Sequence, residues 1–198
     1  HVIGALNRIG DHSQNAVITE LLLEENYFIN DDLAPVLIGL TDETMESIIC
    51  KNMCSPKENR RLQAYTLAGM LGKQVFVTHL VDRLSQEESS TRNKVVHTLA
   101  KLGGDTAVDA LIDVISEGSD YNREHVLWKL AEIGSEKSIT ALLEELIHGP
   151  EWAPRYILPN LSKTKLIDPL VHLEPYFKDE DQLVRQAAIN ILATKPDK

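Results

Sequence analysis

Acidic side chains recur along this sequence at a constant spacing and are the residues best suited to binding chemistry. Multiples of 31 residues separate four of them: Glu20, Asp82, Asp113 and Glu144. Glu24 and Glu117 each follow one of these positions by four residues. Stacked carboxylates attract basic partners, raise the association rate and discriminate by charge. A solvated polar surface without a ligand is the alternative interpretation.

Histidine and cysteine, the usual ligands of transition metals, do not form a metal-binding pattern. His79 and His172 share one position of the 31-residue spacing but lie three periods apart, too far for metal bonds of about 2 Å. Cys50 falls among predicted core positions, and no further ligands accompany it and Cys54. The chain also lacks a glycine-rich phosphate loop and a nucleophile motif. The sequence therefore predicts no metal, no cofactor and no catalysis.

Arginine occupies one position of the same spacing in four places: Arg61, Arg92, Arg123 and Arg185. The planar guanidinium group bonds two partners at once, so a ladder of pairs with carboxylates or carbonyls in the adjacent repeat is expected. An anion-binding column is the alternative interpretation. Trp128 lies at the flank of its predicted helix, so a half-exposed ring is expected there.

The spacing of the apolar residues predicts the helices that position these side chains. Residues 92–115 align with 123–146 without a gap, and the clearest of several columns is Leu6, Leu37, Leu99, Leu130, Leu161 and Leu192. Within a period, Val95 and Leu99 follow helical spacing, Gly103 ends that helix, and Val108 and Leu111 begin a second apolar stripe. Each period is therefore predicted to be a helix–turn–helix unit that buries its stripes only by stacking.

Two prolines interrupt this regularity at the same position of the first helix. Pro35 and Pro159 are four periods apart, and proline inside a helix removes one backbone hydrogen bond and bends the helix. We expect the two units to bend differently from their neighbours. Whether this change of curvature also shapes a binding surface stays open.

The repeat resembles the HEAT-like repeats, most closely the short subclass described in phycobilisome lyases and common in bacterial proteins. Residues 92–104, 123–134 and 184–193 carry the resemblance, whereas Asn30 and Pro154 depart from the arginine position. The resemblance implies an all-α fold, a right-handed α-α superhelix (HEAT/armadillo-like solenoid) with about six 31-residue units plus a final helix. It implies that the second helices line the concave side, which would make the acidic residues an inner ridge. It also offers an alternative function, a bilin lyase or chaperone-lyase subunit.

Composition narrows the class of partner. The chain has 198 residues and a net charge of −10, which argues against nucleic-acid backbones and anionic membranes. Two cysteines, no signal pattern and no long apolar segment suggest a cytoplasmic protein. We expect one HEAT-like repeat domain over residues 1–198, a fragment of a longer array.

These observations lead to one functional hypothesis, a non-catalytic scaffold or adaptor that binds a basic protein partner through the concave acidic face. The candidate binding residues are Glu20, Glu24, His79, Asp82, Asp113, Glu117, Glu144 and His172. The outer side around Trp128 is the alternative location of the binding surface.

Overall fold

The computed structural model describes residues 12–24, 31–116, 120–161 and 173–193, and within these ranges it contains helices and no strand. Eleven α-helices lie in the described ranges: α1 Asn15–Leu22, α2 Ala34–Leu40, α3 Glu43–Met53, α4 Glu58–Leu71, α5 Val75–Leu84, α6 Ser89–Leu102, α7 Asp105–Ser116, α8 Asp120–Ile133, α9 Glu136–His148, α10 Ala153–Leu161 and α11 Gln182–Ala193. Short 3₁₀ helices occupy His12–Gln14, Asp31–Leu33 and Glu174–Lys178. The prediction of an all-α repeat fold is confirmed. The chain divides into two compact units, unit 1 (His1–Leu102) and unit 2 (Gly103–Lys198).

In unit 1, helices of the same kind stack on one another. The second helices α1, α3 and α5 pack in sequence, and the first helices α2, α4 and α6 do the same. The layers are joined because α3 packs on α4 and α5 packs on α6. Leu37, Ile49, Leu67 and Leu80, one from each of four helices, are fully buried in this core. The stacking buries apolar stripes that a single hairpin would leave exposed to water.

Unit 2 is built in the same way from α7 to α11. The second helices α7 and α9 pack together, while α8, α10 and α11 form the layer of first helices. Leu111, Leu130, Leu142 and Leu158 are fully buried. The 3₁₀ helix Glu174–Lys178 packs on α11. Each unit therefore has its own two-layer core.

Glycine ends the first helix where the repeat predicts it. Gly72 follows α4 and Gly134 follows α8, both in the left-handed conformation with φ of 66° and 62°. Their amides donate to the carbonyls of Ala68 and Leu130, which closes the last turn of each helix. Only glycine adopts this backbone without strain, so the chain can turn directly into the second helix.

The prediction of a bent helix at Pro35 is wrong, and the reason is local. Pro35 is the second residue of α2, directly after the 3₁₀ turn Asp31–Leu33, where the missing amide removes no internal hydrogen bond. Pro159, in contrast, lies inside α10 as predicted. The shared sequence position therefore has two different structural roles.

None of the helices in the described ranges is long and apolar enough to cross a bilayer.

Candidate functional site

The predicted acidic residues that the structure describes all have exposed side chains. In unit 1, Glu20 lies on α1 and Glu24 just after it, and His79 and Asp82 lie one turn apart on α5. In unit 2, Asp113 lies on α7 and Glu144 on α9; they and the four unit 1 residues are exposed. The two other candidate residues, Glu117 and His172, lie outside the described residues. All six described side chains are therefore accessible to a partner. They differ in whether they already form an ion pair within the chain.

In unit 1 the first two carboxylates already have a cationic partner. Arg60, at the start of α4, donates to Glu20 Oε2 at 3.1 Å and to Glu24 Oε1 at 2.9 Å. The same guanidinium group donates to Asn52 Oδ1 at 3.2 Å, which fixes it against α3. These contacts join residues 40 and 36 positions apart in the sequence. Glu20 and Glu24 therefore share one cation, which compensates half of their combined negative charge.

In unit 2 a groove of about 560 Å³ runs between α7 and α9. Its lining is Asp105, Ile112, Ser135, Glu136, Lys137, Thr140, Ala141 and Glu144. Small-molecule pockets are usually lined by apolar and aromatic side chains, whereas this groove has only Ile112 and Ala141 of that kind. The groove is therefore suited to a charged or polar group. Of the predicted site residues, Glu144 contributes to it directly and Asp113 lies beside Ile112 on α7.

The charge of the groove is negative because its lysine is already paired. Lys137 Nζ lies 2.5 Å from Asp109 Oδ1, which links α9 to α7. The described residues include no cationic partner for Asp105, Glu136 or Glu144. Asp105 and Glu136 are the first residues of α7 and α9, where the helix dipole stabilises a carboxylate. Sequence reasoning missed both residues, although they share one position of the 31-residue repeat.

The repeated arginines have structural partners. Arg61 donates to both oxygens of Glu87, at 2.6 and 3.0 Å, and to the carbonyl of Ser55 at 3.0 Å. Arg123 pairs with Glu145, and Arg185 donates to the carbonyls of Asp179 and Glu180. The expected pairs with carboxylates and carbonyls therefore exist for these three. The carbonyls belong to the preceding repeat, as predicted, whereas the carboxylates come from the arginine's own hairpin, so that part of the prediction is wrong.

Glu87 is the centre of the most deeply buried ion network in the described residues. Its side chain is 2% exposed and accepts hydrogen bonds from Arg61, Arg83 Nη2 at 2.7 Å and Tyr65 Oη at 2.8 Å. Burial opposes ionisation of Glu87, but the hydrogen bonds from Arg61, Arg83 and Tyr65 outweigh it and lower its pKa. Burial, followed by the bond to Glu87, raises the pKa of Tyr65. The network therefore holds α4 and α5 together and has no free group for a ligand.

The cysteines and histidines do not form a metal site in the described part of the chain. Cys50 is half-buried and not a core residue as predicted, because its repeat position is half-buried also at Val81, Ile112 and Leu143. Cys54 is exposed. Burial, and then the nearby Glu46 carboxylate, raises the pKa of the Cys50 thiol. Among the described residues, no group of three histidine, cysteine or acidic side chains is arranged to hold a metal ion.

The architecture defines a class of protein, the repeat proteins built from stacked helical hairpins. Residues 77–158 match the model of the HEAT repeats, and this match together with the all-helical fold makes the chain a HEAT-like repeat protein. No curated protein matches the chain in a sequence comparison. The lyase subclass and the right-handed superhelix stay predictions. HEAT repeats commonly mediate protein–protein interaction.

Proposed function

We propose that this chain is a non-catalytic interaction module that binds a basic protein partner through its acidic second helices. The observation that carries the proposal is the α7–α9 groove of unit 2, in which Asp105, Glu136 and Glu144 lack a cationic partner among the described residues. A lysine or arginine side chain of a partner would supply the missing charge. A chain with a net charge of −10 repels the phosphate backbone of a nucleic acid, which favours a protein as the partner.

The groove has the size and polarity for an extended basic segment. At about 560 Å³ it is open enough for one or two long side chains, and Thr140 and Ser135 add hydroxyl groups beside the carboxylates. The apolar side chains Ile112 and Ala141 can contact the methylene stem of a lysine while its ammonium group reaches a carboxylate. The same segment would therefore gain both apolar contact and charge pairing.

In unit 1 the corresponding surface is weaker for this role. Asp82 and His79 are exposed on α5, but Glu20 and Glu24 are paired with Arg60. Lys51 occupies the equivalent position of α3 and adds a positive charge. We propose that unit 1 contributes to the long-range attraction of a basic partner and that unit 2 holds the contact.

A titration of the full chain with a synthetic peptide of alternating lysine and glycine tests the location of binding. We expect the largest amide shifts in two-dimensional NMR spectra at residues 135–144 and around Ile112. Raising the salt from about 20 mM to about 150 mM is expected to weaken binding, since exposed charges are screened over about 8 Å. Shifts spread evenly over all acidic surfaces would contradict the groove as the site.

A further inference from the structure

Trp128 on α8 is a large apolar side chain that the fold does not bury. It is 47% exposed, whereas Tyr65 and Phe76, aromatic residues of unit 1, are completely buried. Tryptophan is the residue type most enriched, with tyrosine and arginine, among the side chains that dominate protein interfaces. A single exposed apolar residue needs no explanation by itself, so its surroundings decide whether the surface is built for contact.

The neighbouring Lys129 is a charged side chain at a mostly buried position of the repeat. Leu67, Thr98 and Ile191 share this position and are buried, Val36 and Asn160 are half-buried, and Lys129 itself is only 4% exposed. Burying an ammonium group is costly unless it is paired. Lys129 Nζ lies 2.6 Å from Glu132 Oε2 and 4.4 Å from the centroid of the Trp128 ring. The buried charge therefore contacts the exposed indole from one side.

A second contact orients the ring, and a carboxylate lies beside it. The His125 ring meets Trp128 edge to face with centroids 5.8 Å apart. Glu124 is exposed and precedes Trp128 by one helical turn, so the two side chains share a face of α8. The Glu124 carboxylate also lies near the hydroxyl of Tyr156 on α10, where it raises the pKa of Tyr156. The carboxylate thus shares a face of α8 with an oriented indole.

This combination matches one partner chemistry. A guanidinium group is planar, stacks on aromatic faces and bonds a carboxylate through two parallel N–H groups. The contact with Lys129 demonstrates that the Trp128 ring accepts a cation in this structure. A lysine ammonium lacks the planar group needed to stack on the indole and pair in parallel with Glu124 at once.

We propose that Glu124 and Trp128 form a second interaction surface, here called the Trp128 patch, which binds an arginine-bearing segment of a protein partner. The guanidinium group stacks on the exposed part of the indole and pairs with Glu124. Lys129 is a positioning residue that holds the indole. The patch uses side chains other than those of the α7–α9 groove, so either surface can bind when the other is disabled.

Two synthetic peptides, one alternating arginine with glycine and one alternating lysine with glycine, test this surface on the full chain. The readout is the indole N–H signal of Trp128 in ¹⁵N NMR spectra, assigned by its loss in Trp128→Leu. We expect the arginine peptide to shift this signal at concentrations about threefold lower than the lysine peptide. Equal response to both peptides, or no response to the arginine peptide, would overturn the proposal.

Matched variants separate this surface from general charge attraction. Trp128→Leu and Glu124→Gln are each expected to weaken binding of the arginine peptide about threefold. Ile147→Ala removes another exposed apolar side chain of unit 2, and Glu180→Gln another exposed carboxylate; both are expected to leave the affinity unchanged. If the controls weaken binding as much as the patch variants, the patch is not the site.

The role of Lys129 is tested by Lys129→Met and Lys129→Arg. We expect Lys129→Met to keep or raise the thermal stability, because an apolar side chain replaces a buried charge. The same variant is expected to bind the arginine peptide about threefold more weakly. Lys129→Arg, which keeps a cation at the ring, is expected to restore part of the affinity. Loss of stability with unchanged affinity would mean that Lys129 is only structural.

A variant in the groove separates failure of this proposal from failure of the proposed function. In Glu144→Lys the indole signal of Trp128 should still respond to the arginine peptide.

Discussion

The two units use acidic residues differently, although they share one repeat. Each unit contains 10 Lys and Arg residues, but unit 1 has 13 Asp and Glu residues and unit 2 has 17, so their net charges are −3 and −7. In unit 1, Glu87 is buried among arginines and tyrosine, and Arg60 pairs with Glu20 and Glu24. In unit 2, the carboxylates of the α7–α9 groove face solvent without cationic partners among the described residues. The comparison suggests that Glu87, Glu20 and Glu24 of unit 1 serve stability, whereas the groove carboxylates of unit 2 stay available for the proposed binding.

The largest expected effect is on stability and comes from Glu87→Gln in unit 1. Removing the charge leaves the partly buried Arg61 and Arg83 without their shared carboxylate, so we expect a loss of about 3 kcal/mol in the free energy of unfolding. Glu145→Gln in unit 2 is the matched variant, because it also removes the carboxylate of an arginine of the repeated column. There, however, Arg123 keeps its contact with the Trp152 ring. We expect it to cost about 1 kcal/mol. Urea unfolding followed by circular dichroism measures both, and equal losses would contradict the contrast between the units.

The same network predicts a dependence of stability on pH. The pKa of Glu87 is lowered from its ordinary value of 4.5, so its contribution is present above pH 4.5 and is lost as the pH falls through the folded-state pKa. The stability difference between the parent chain and Glu87→Gln should therefore be largest near neutral pH and shrink towards about pH 3. Unfolding curves of both chains over this range provide the measurement. A difference that stays constant with pH would mean that the carboxylate charge contributes nothing.

A smaller effect is expected when Arg60 is changed in unit 1. Arg60→Gln leaves Glu20 and Glu24 without their cationic partner. We therefore expect the association rate of the lysine–glycine peptide to rise up to about threefold at low salt. The free energy of unfolding should change by less than about 1 kcal/mol, since these ion pairs are largely exposed. Stopped-flow measurement of the association rate reports the change. Adding Glu20→Gln and Glu24→Gln to the same chain should return the rate to the parent value or below.

Much of the fold follows from the sequence because the repeat is local. Helical spacing, turns at Gly72 and Gly134, and exposure of Asp82 and Trp128 depend on neighbouring residues, and the structure agrees with each of them. The structure differs from the sequence prediction at Pro35 because the effect of a proline depends on where the helix begins. A shared repeat position does not determine that boundary.

The charge pattern of the candidate site could not be predicted in the same way. Whether Glu20 has a cationic partner depends on Arg60, which lies 40 residues away and is not part of the repeated arginine column. The pairing of Lys137 with Asp109 depends on how α7 and α9 pack. The acidic positions are visible in the sequence, but their ion pairs are set by packing between repeats.

If the α7–α9 groove holds a basic partner, Glu144→Lys must lose affinity for the lysine–glycine peptide. Glu180→Lys makes the same change of charge in unit 2 outside the groove. At about 20 mM salt we expect Glu144→Lys to bind about tenfold more weakly than the parent chain, with stability within about 0.5 kcal/mol of it, and Glu180→Lys to lose no more than about twofold. Equal losses in the two variants would exclude the groove as the binding site, because binding would then follow total charge.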